Sequence, residues 1–85
     1  MASYSVFLKR SAAKELGGLP LKDRRRIAAR IGALADEPRP PGVEKISGQD
    51  KYRIRQGDYR VLYTIDDPAL TVTVVTIGHR GDVYR

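Results

Sequence analysis

The sequence predicts an α+β fold of order β-α-α-β-β-β, in which a helical hairpin packs on one face of an antiparallel sheet. Two apolar stripes at helical spacing occupy the first half of the chain. Three runs rich in Tyr, Val, Ile and Thr, joined by short turns, occupy the last third. With 85 residues there is room for one core, so residues 1–85 read as a single domain.

Tyr4 to Lys9 alternates, with Tyr4, Val6 and Leu8 on one side, and is the first predicted strand. Ser11 is placed to cap a short helix through Ala12, Ala13 and Leu16, stopped by Gly17-Gly18. After Leu19-Pro20 a longer helix is predicted from Leu21 to Ala35, because Ile27, Ile31 and Leu34 recur at helical spacing. Arg24, Arg25, Arg26 and Arg30 lie mainly off that stripe, which gives the hairpin one apolar seam and a basic back. Pro38, Pro40, Pro41 and Gly42 end the helix in a stiff connection. Val43 to Asp50 is polar, with Val43 and Ile46 as its anchors, and no conformation is assigned to it. Lys51–Arg55, Tyr59–Ile65 and Leu70–Ile77 are the remaining strands, turned at 56–58 and 66–68, and form a three-stranded meander.

Composition narrows the chemistry. There is no cysteine and one histidine, His79, so disulfide frames, thiolate metal sites and the usual zinc sets are out of reach; no metal and no cofactor is expected. No apolar run approaches the roughly 20 residues of a membrane helix. The short apolar patch at the N-terminus precedes its basic pair, the reverse of a signal peptide, so a cytoplasmic protein without membrane contact is expected. Sixteen Lys and Arg against ten Asp and Glu give a net charge of +6, which favours polyanions and acidic protein partners.

Hairpin register decides which of those charges share a face, since side chains alternate across a strand. If Arg55 pairs with Arg60 across a four-residue loop, then Arg53, Arg55, Arg60 and Leu62 fall on one face. Tyr52, Ile54, Tyr59, Val61, Tyr63 and Ile65 fall on the other, suited to packing the helices. A three-residue loop would instead bury Arg60 beside Ile54, which is costly without a partner. Core burial therefore selects the register that gathers three guanidinium groups on the open face, an arrangement suited to phosphate oxygens. The competing reading is that two of the three are neutralised by Asp50, Asp58 or Glu44.

The stretch YRIRQGDYRVLYTID (52–66), followed by a strand and then IGHRGDVYR (77–85), resembles the RelE/ParE superfamily of toxin–antitoxin toxins. The likeness covers nearly the whole chain; its most specific parts are GDYRVLY and HR…VYR. For the RelE-like branch the resemblance implies a type II toxin that enters the ribosomal A site and cuts mRNA. The RNA's own 2′-hydroxyl would attack, without a metal, leaving a cyclic phosphate. It further implies a cognate acidic, RelB-like antitoxin, a hetero-oligomeric complex with it, and contact with operator DNA only through that antitoxin.

Position by position, the resemblance makes Arg60 the strand arginine that stabilises the scissile phosphate and Arg80 the arginine near the leaving group. Tyr84 becomes the tyrosine that stacks on or orients the nucleotide. Arg53 and Arg55 fall where relatives carry lysines that hold RNA, with Lys51 and Arg85 extending that set. Arginine does not release its proton as a crowded lysine can, so the general base is left open. His79 is the alternative acid or base, with Glu44 and Asp82 behind it. Two other readings stand beside it: a ParE-like DNA gyrase inhibitor, which shares the fold but lacks the catalytic Arg/Tyr set, and a non-catalytic nucleic-acid-binding module that uses the same basic face.

Overall fold

The computed structural model describes residues 3–46, 48 and 50–79. Strand β1 (Ser5–Leu8) leads into helices α1 (Arg10–Gly17) and α2 (Leu21–Ala33), followed by β2 (Glu44–Lys45), β3 (Lys51–Gln56), β4 (Tyr59–Asp66) and β5 (Thr71–His79). These strands form one five-stranded sheet in the order β1-β5-β4-β3-β2, with both helices on one face.

Two features depart from the expected order. The polar segment after the prolines contributes β2, a two-residue edge strand whose Glu44 pairs with Arg53 and Lys45 with Tyr52. It is too short to show alternation, so it left no pattern to read. The sheet is also mixed rather than wholly antiparallel, because β1 runs parallel to β5. The alternation of β1 is the same in either direction, and its partner lies at the far end of the chain. A parallel neighbour needs a long crossover, which the helical hairpin and the meander together supply.

Helix boundaries follow local chemistry. Lys9, not Ser11, is the N-cap of α1, because the Lys9 amide is held by the Val74 carbonyl at 2.9 Å as β1 ends. Ser11 then falls within the first turn. Pro20 caps α2 with φ −53°, and Asp23 sits in the first turn, where the helix dipole favours a carboxylate. The end of α2 tightens into i→i+3 bonds from Leu34, Ala35 and Asp36, so regular α geometry stops at Ala33 rather than Ala35.

The core is the seam between helices and sheet. Ala12, Ile27, Ile31 and Leu34 from the helical side meet Ile54, Val61, Tyr63, Val72, Val74 and Ile77 from the strands. Each fully buried aliphatic side chain contributes about 1.5–3 kcal/mol relative to exposure. A bulge opposite Leu62 and Tyr63 shifts the parity of β5, which is why Ile77 faces the helices with Val72 and Val74 despite its odd spacing.

The proline segment is tied to the sheet at two points. The buried Tyr63 hydroxyl donates to the Pro38 carbonyl at 2.7 Å, and burial pushes its pKa up to about 12. Arg39 makes a two-pronged pair with Asp67 at 3.1 and 2.9 Å, while Tyr4 donates to the same carboxylate at 2.6 Å. The Arg39 guanidinium also lies 5.3 Å from the Tyr52 ring centroid. None of these contacts has a sequence signature, since each joins groups remote in the chain.

Candidate functional site

Strands β3 and β4 meet in the register that core burial selects. Arg55 pairs with Arg60, Arg53 with Leu62, Ile54 with Val61 and Tyr52 with Tyr63. The pairing continues to Gln56 and Tyr59, so the turn is the two residues Gly57-Asp58 rather than the expected four-residue loop. The Arg55–Arg60 pairing is the same, because two added ladder residues keep the alternation. Gly57, with φ 60°, takes the first central position, where a type II′ turn requires a positive φ. Lys51, Arg53 and Arg55 alternate along one face of β3, and Arg60, Leu62 and Thr64 stand opposite them on β4. The complementary set, Ile54, Val61 and Tyr63, is buried under the helices.

The three arginines are not equivalent. The Arg53 side chain is 18% exposed and that of Arg55 62%, so Arg53 lies along the sheet while Arg55 reaches outward. Beside Arg53 on β4, Leu62 is buried, although it belongs to the arginine face. The position beside Arg60 on β5 is Gly78, which places no side chain against the guanidinium stem.

The competing reading of the charges is realised in part. Glu44, brought opposite Arg53 by the β2–β3 register, accepts from Arg53 at 2.5 Å and lies 4.0 Å from Arg55. Glu44 is therefore the partner that the sequence left open, and neither Asp50 nor Asp58 pairs with these arginines among the described residues. Its carboxylate compensates part of the positive charge on the face and sits within the same surface.

His79 is elsewhere. It pairs with Tyr59 across β4–β5, and the two rings meet edge to face at 5.4 Å. Both line a cleft of about 420 Å³ between α2 and the hairpin tip, with Asp23, Arg26 and Asp58. The Tyr59 hydroxyl donates to Asp23 at 3.3 Å, and burial together with that carboxylate holds its pKa above the usual value. Strand alternation thus puts His79 on the helix side and Arg60 on the other. Arg80, Tyr84, Arg85 and Asp82 lie outside the described residues.

No described helix is long and apolar enough to cross a membrane. Among the described residues, no group of three or more His, Asp or Glu side chains gathers as a metal site.

Comparison with known proteins fits this geometry. Residues 6–84 match the family model for the ParE toxin of the type II toxin–antitoxin system parDE. Toxin RelG of Mycobacterium tuberculosis is 35% identical, over 96% of this chain and 97% of its own. Toxin RelE of the same organism is 34% identical, over 96% of this chain and 87% of its own. The fold superposes on the archaeal RelE–RelB complex of Pyrococcus horikoshii with a TM-score of 0.84 and 31% identity, covering 95% of this chain and 99% of that one. The toxin–antitoxin complex RelBE2 of M. tuberculosis gives 0.79 and 28%, over 92% and 99%. The chain belongs to the RelE/ParE family of type II toxin–antitoxin toxins.

Proposed function

We propose that this toxin is a ribosome-dependent mRNA endonuclease that uses the open face of β3 and β4 as its active site. One observation carries the reading: Arg53, Arg55 and Arg60 share the face turned away from the helices. Guanidinium groups in that arrangement stabilise the extra negative charge that a phosphate acquires when a fifth oxygen attacks it.

In the reaction the substrate's 2′-oxygen bonds to the adjacent phosphorus and the 5′-oxygen leaves. A cyclic phosphate and a free 5′-hydroxyl result, and no water or redox partner is consumed. Arg60, beside the bare Gly78 position, holds the phosphate. Arg53, Arg55, Lys51 and Arg85 hold the flanking RNA. Arg80 stabilises the charge on the leaving 5′-oxygen, which takes its proton from solvent, and Tyr84 stacks on the nucleotide.

The 2′ proton needs an acceptor that arginine cannot be. Glu44 is the carboxylate within this face, whereas His79 stands across the sheet; Glu44 is therefore the base in this reading. The toxin works in the cytoplasm under the control of an acidic antitoxin. The relatives solved as RelE–RelB and RelBE2 complexes and the net charge of +6 support that partner.

The test is to induce the protein in cells and map transcript ends. Cuts inside translated codons that disappear in Arg60→Ala and in Arg80→Ala are expected. The family model that matches is that of ParE, which keeps gyrase poisoning as the second reading. DNA damage with intact transcripts would assign the chain to it and overturn the nuclease. Growth arrest without either lesion would overturn both.

A further inference from the structure

Core packing stops short of the hairpin tip that carries Arg55 and Arg60. Towards that tip the last buried side chains are Ile54, Val61 and Ile77; Gln56 and Tyr59 are half-buried, and Gly57 and Asp58 are exposed. The outer edge of β3 is bare there as well, because β2 pairs only with Tyr52 and Arg53. A strand end with few buried apolar contacts opens more readily than the core behind it.

Helix α2 holds this tip. Its charged residues divide by position: Lys22, Arg24, Arg25 and Arg26 are exposed, whereas Asp23 and Arg30 are half-buried. Asp23 and Arg30 lie two helical turns apart, so they share one line along the helix with buried Ile27 between them. Asp23 accepts the Tyr59 hydroxyl at 3.3 Å, and the Arg30 guanidinium donates to the Arg55 carbonyl at 3.4 Å. At the end of β5, His79 pairs with Tyr59 and sets its ring edge to face against the tyrosine.

Both tethers fall directly behind the arginine face. Tyr59 precedes Arg60 in β4, and Arg30 holds the peptide oxygen of Arg55, the residue paired with Arg60. Alternation sends Tyr59 towards the helices and Arg60 to the open face, so fixing the ring fixes the base from which the guanidinium extends. Both bonds are long and neither is buried, so they add little to global stability. Their effect is on direction.

We infer that Asp23 and Arg30 are positioning residues for the cleavage proposed above. Through Tyr59 and the Arg55 carbonyl they hold the hairpin tip so that Arg60 meets the scissile phosphate while Arg55 holds the RNA beside it. Their role in cleavage rests on the nuclease reading; the tethers themselves do not. Neither side chain touches RNA, since both lie on the helix side of the sheet. Misplacing a reacting group by about 1 Å costs on the order of 10²-fold in rate, so the tethers act on turnover rather than on binding.

The experiment follows single-turnover cleavage of mRNA on programmed ribosomes by the full-length protein, over a range of ribosome concentration. Tyr59→Phe/Arg30→Met removes both bonds while keeping the ring and an unbranched stem. Its rate at saturation is expected to fall by about 10- to 100-fold, with the half-saturating concentration within about twofold of wild type. Asp23→Asn still accepts from Tyr59 and Arg30→Lys still donates, so each keeps at least about half the wild-type rate. Thermal unfolding and amide exchange at Arg60 are read on the same samples.

A saturating rate equal to wild type in the double variant would overturn the positioning role and leave the nuclease reading in place. A higher half-saturating concentration at unchanged rate would make the tethers part of binding and overturn that role equally. Loss of rate that tracks a fall in unfolding midpoint, and that Asp23→Asn and Arg30→Lys share, would reduce both bonds to structural ties. If wild type leaves the mRNA intact, the nuclease reading fails by itself. Faster exchange of the Arg60 amide in the double variant would then support the hold of α2 on the tip, and unchanged exchange would remove that too.

Discussion

The two faces of β3 and β4 are made by alternate residues of the same strands, and they obey opposite rules. Ile54, Val61 and Tyr63 point into a packed seam, where volume and hydrogen-bond satisfaction decide what is tolerated. Arg53, Arg55 and Arg60 point out, where charge decides. Specifying one face fixes the other, because a one-residue slip would exchange them. Residues that never touch RNA therefore aim the residues proposed to bind it.

That contrast can be broken from either side, and the sharpest cut is at the centre of the core. Tyr63→Ala removes a fully buried ring and its hydrogen bond to Pro38. A loss of about 3–5 kcal/mol is expected, comparable with the whole stability of a small domain. Denaturant unfolding would show it. Arg60→Ala is the matching cut on the outer face. Cleavage is expected to fall by roughly 10²–10³, the scale for losing one charge-stabilising donor, while the unfolding midpoint stays near wild type. If instead Arg60→Ala unfolds the protein, the separation of the two faces is wrong.

A finer cut isolates one bond. Tyr63→Phe keeps the ring but leaves the Pro38 carbonyl without its donor, at a cost of about 1–3 kcal/mol. The pH dependence has a definite sign. Folding raises the Tyr63 pKa from 10.0 to about 12, so its contribution is complete below pH 10 and is lost as pH climbs from 10 towards 12. Wild type should lose stability more steeply than Tyr63→Phe across that alkaline range. Parallel curves would show that this hydroxyl is not the group that titrates.

Glu44→Gln acts where the faces are least alike. The substitution removes the carboxylate between Arg53 and Arg55. RNA binding should strengthen, with the salt slope steeper by roughly 0.7–0.9, one added phosphate contact. If Glu44 also accepts the 2′ proton, cleavage falls while binding rises. Binding and cleavage moving together would remove Glu44 from the chemistry and leave it as a counter-ion.

How much of this was legible follows from the range of each interaction. The helices, the meander and the Arg55–Arg60 register came from periodicity and from the cost of burying Arg60, both local signals. The Glu44 contact was visible only as one of three acids, because a two-residue strand sets it. The side of His79 depends on the β5 bulge, which the run of Val and Thr does not mark. The Arg39–Asp67–Tyr4 cluster was invisible, since its members come from the first strand, the proline connection and the last turn.

That cluster gives the smallest effect and the most specific one. Asp67 accepts from both prongs of Arg39 and from Tyr4, and these bonds, the Arg39 pair foremost, hold its carboxyl at about 2, below its ordinary value of 3.8. A depressed folded-state pKa means the stabilisation is complete above the unfolded value and is lost as pH falls from about 4 towards 2. Asp67→Asn should therefore melt below wild type at neutral pH, and the gap should close through that acid range. Arg39 and Asp67 are about half exposed, so solvent screens the pair and the gap should also narrow in high salt. A gap that persists unchanged at pH 2 would mean that the proline connection is held by Tyr63 and Tyr52 rather than by this carboxylate. The tether would then belong to the buried face of the sheet instead of to its exposed margin.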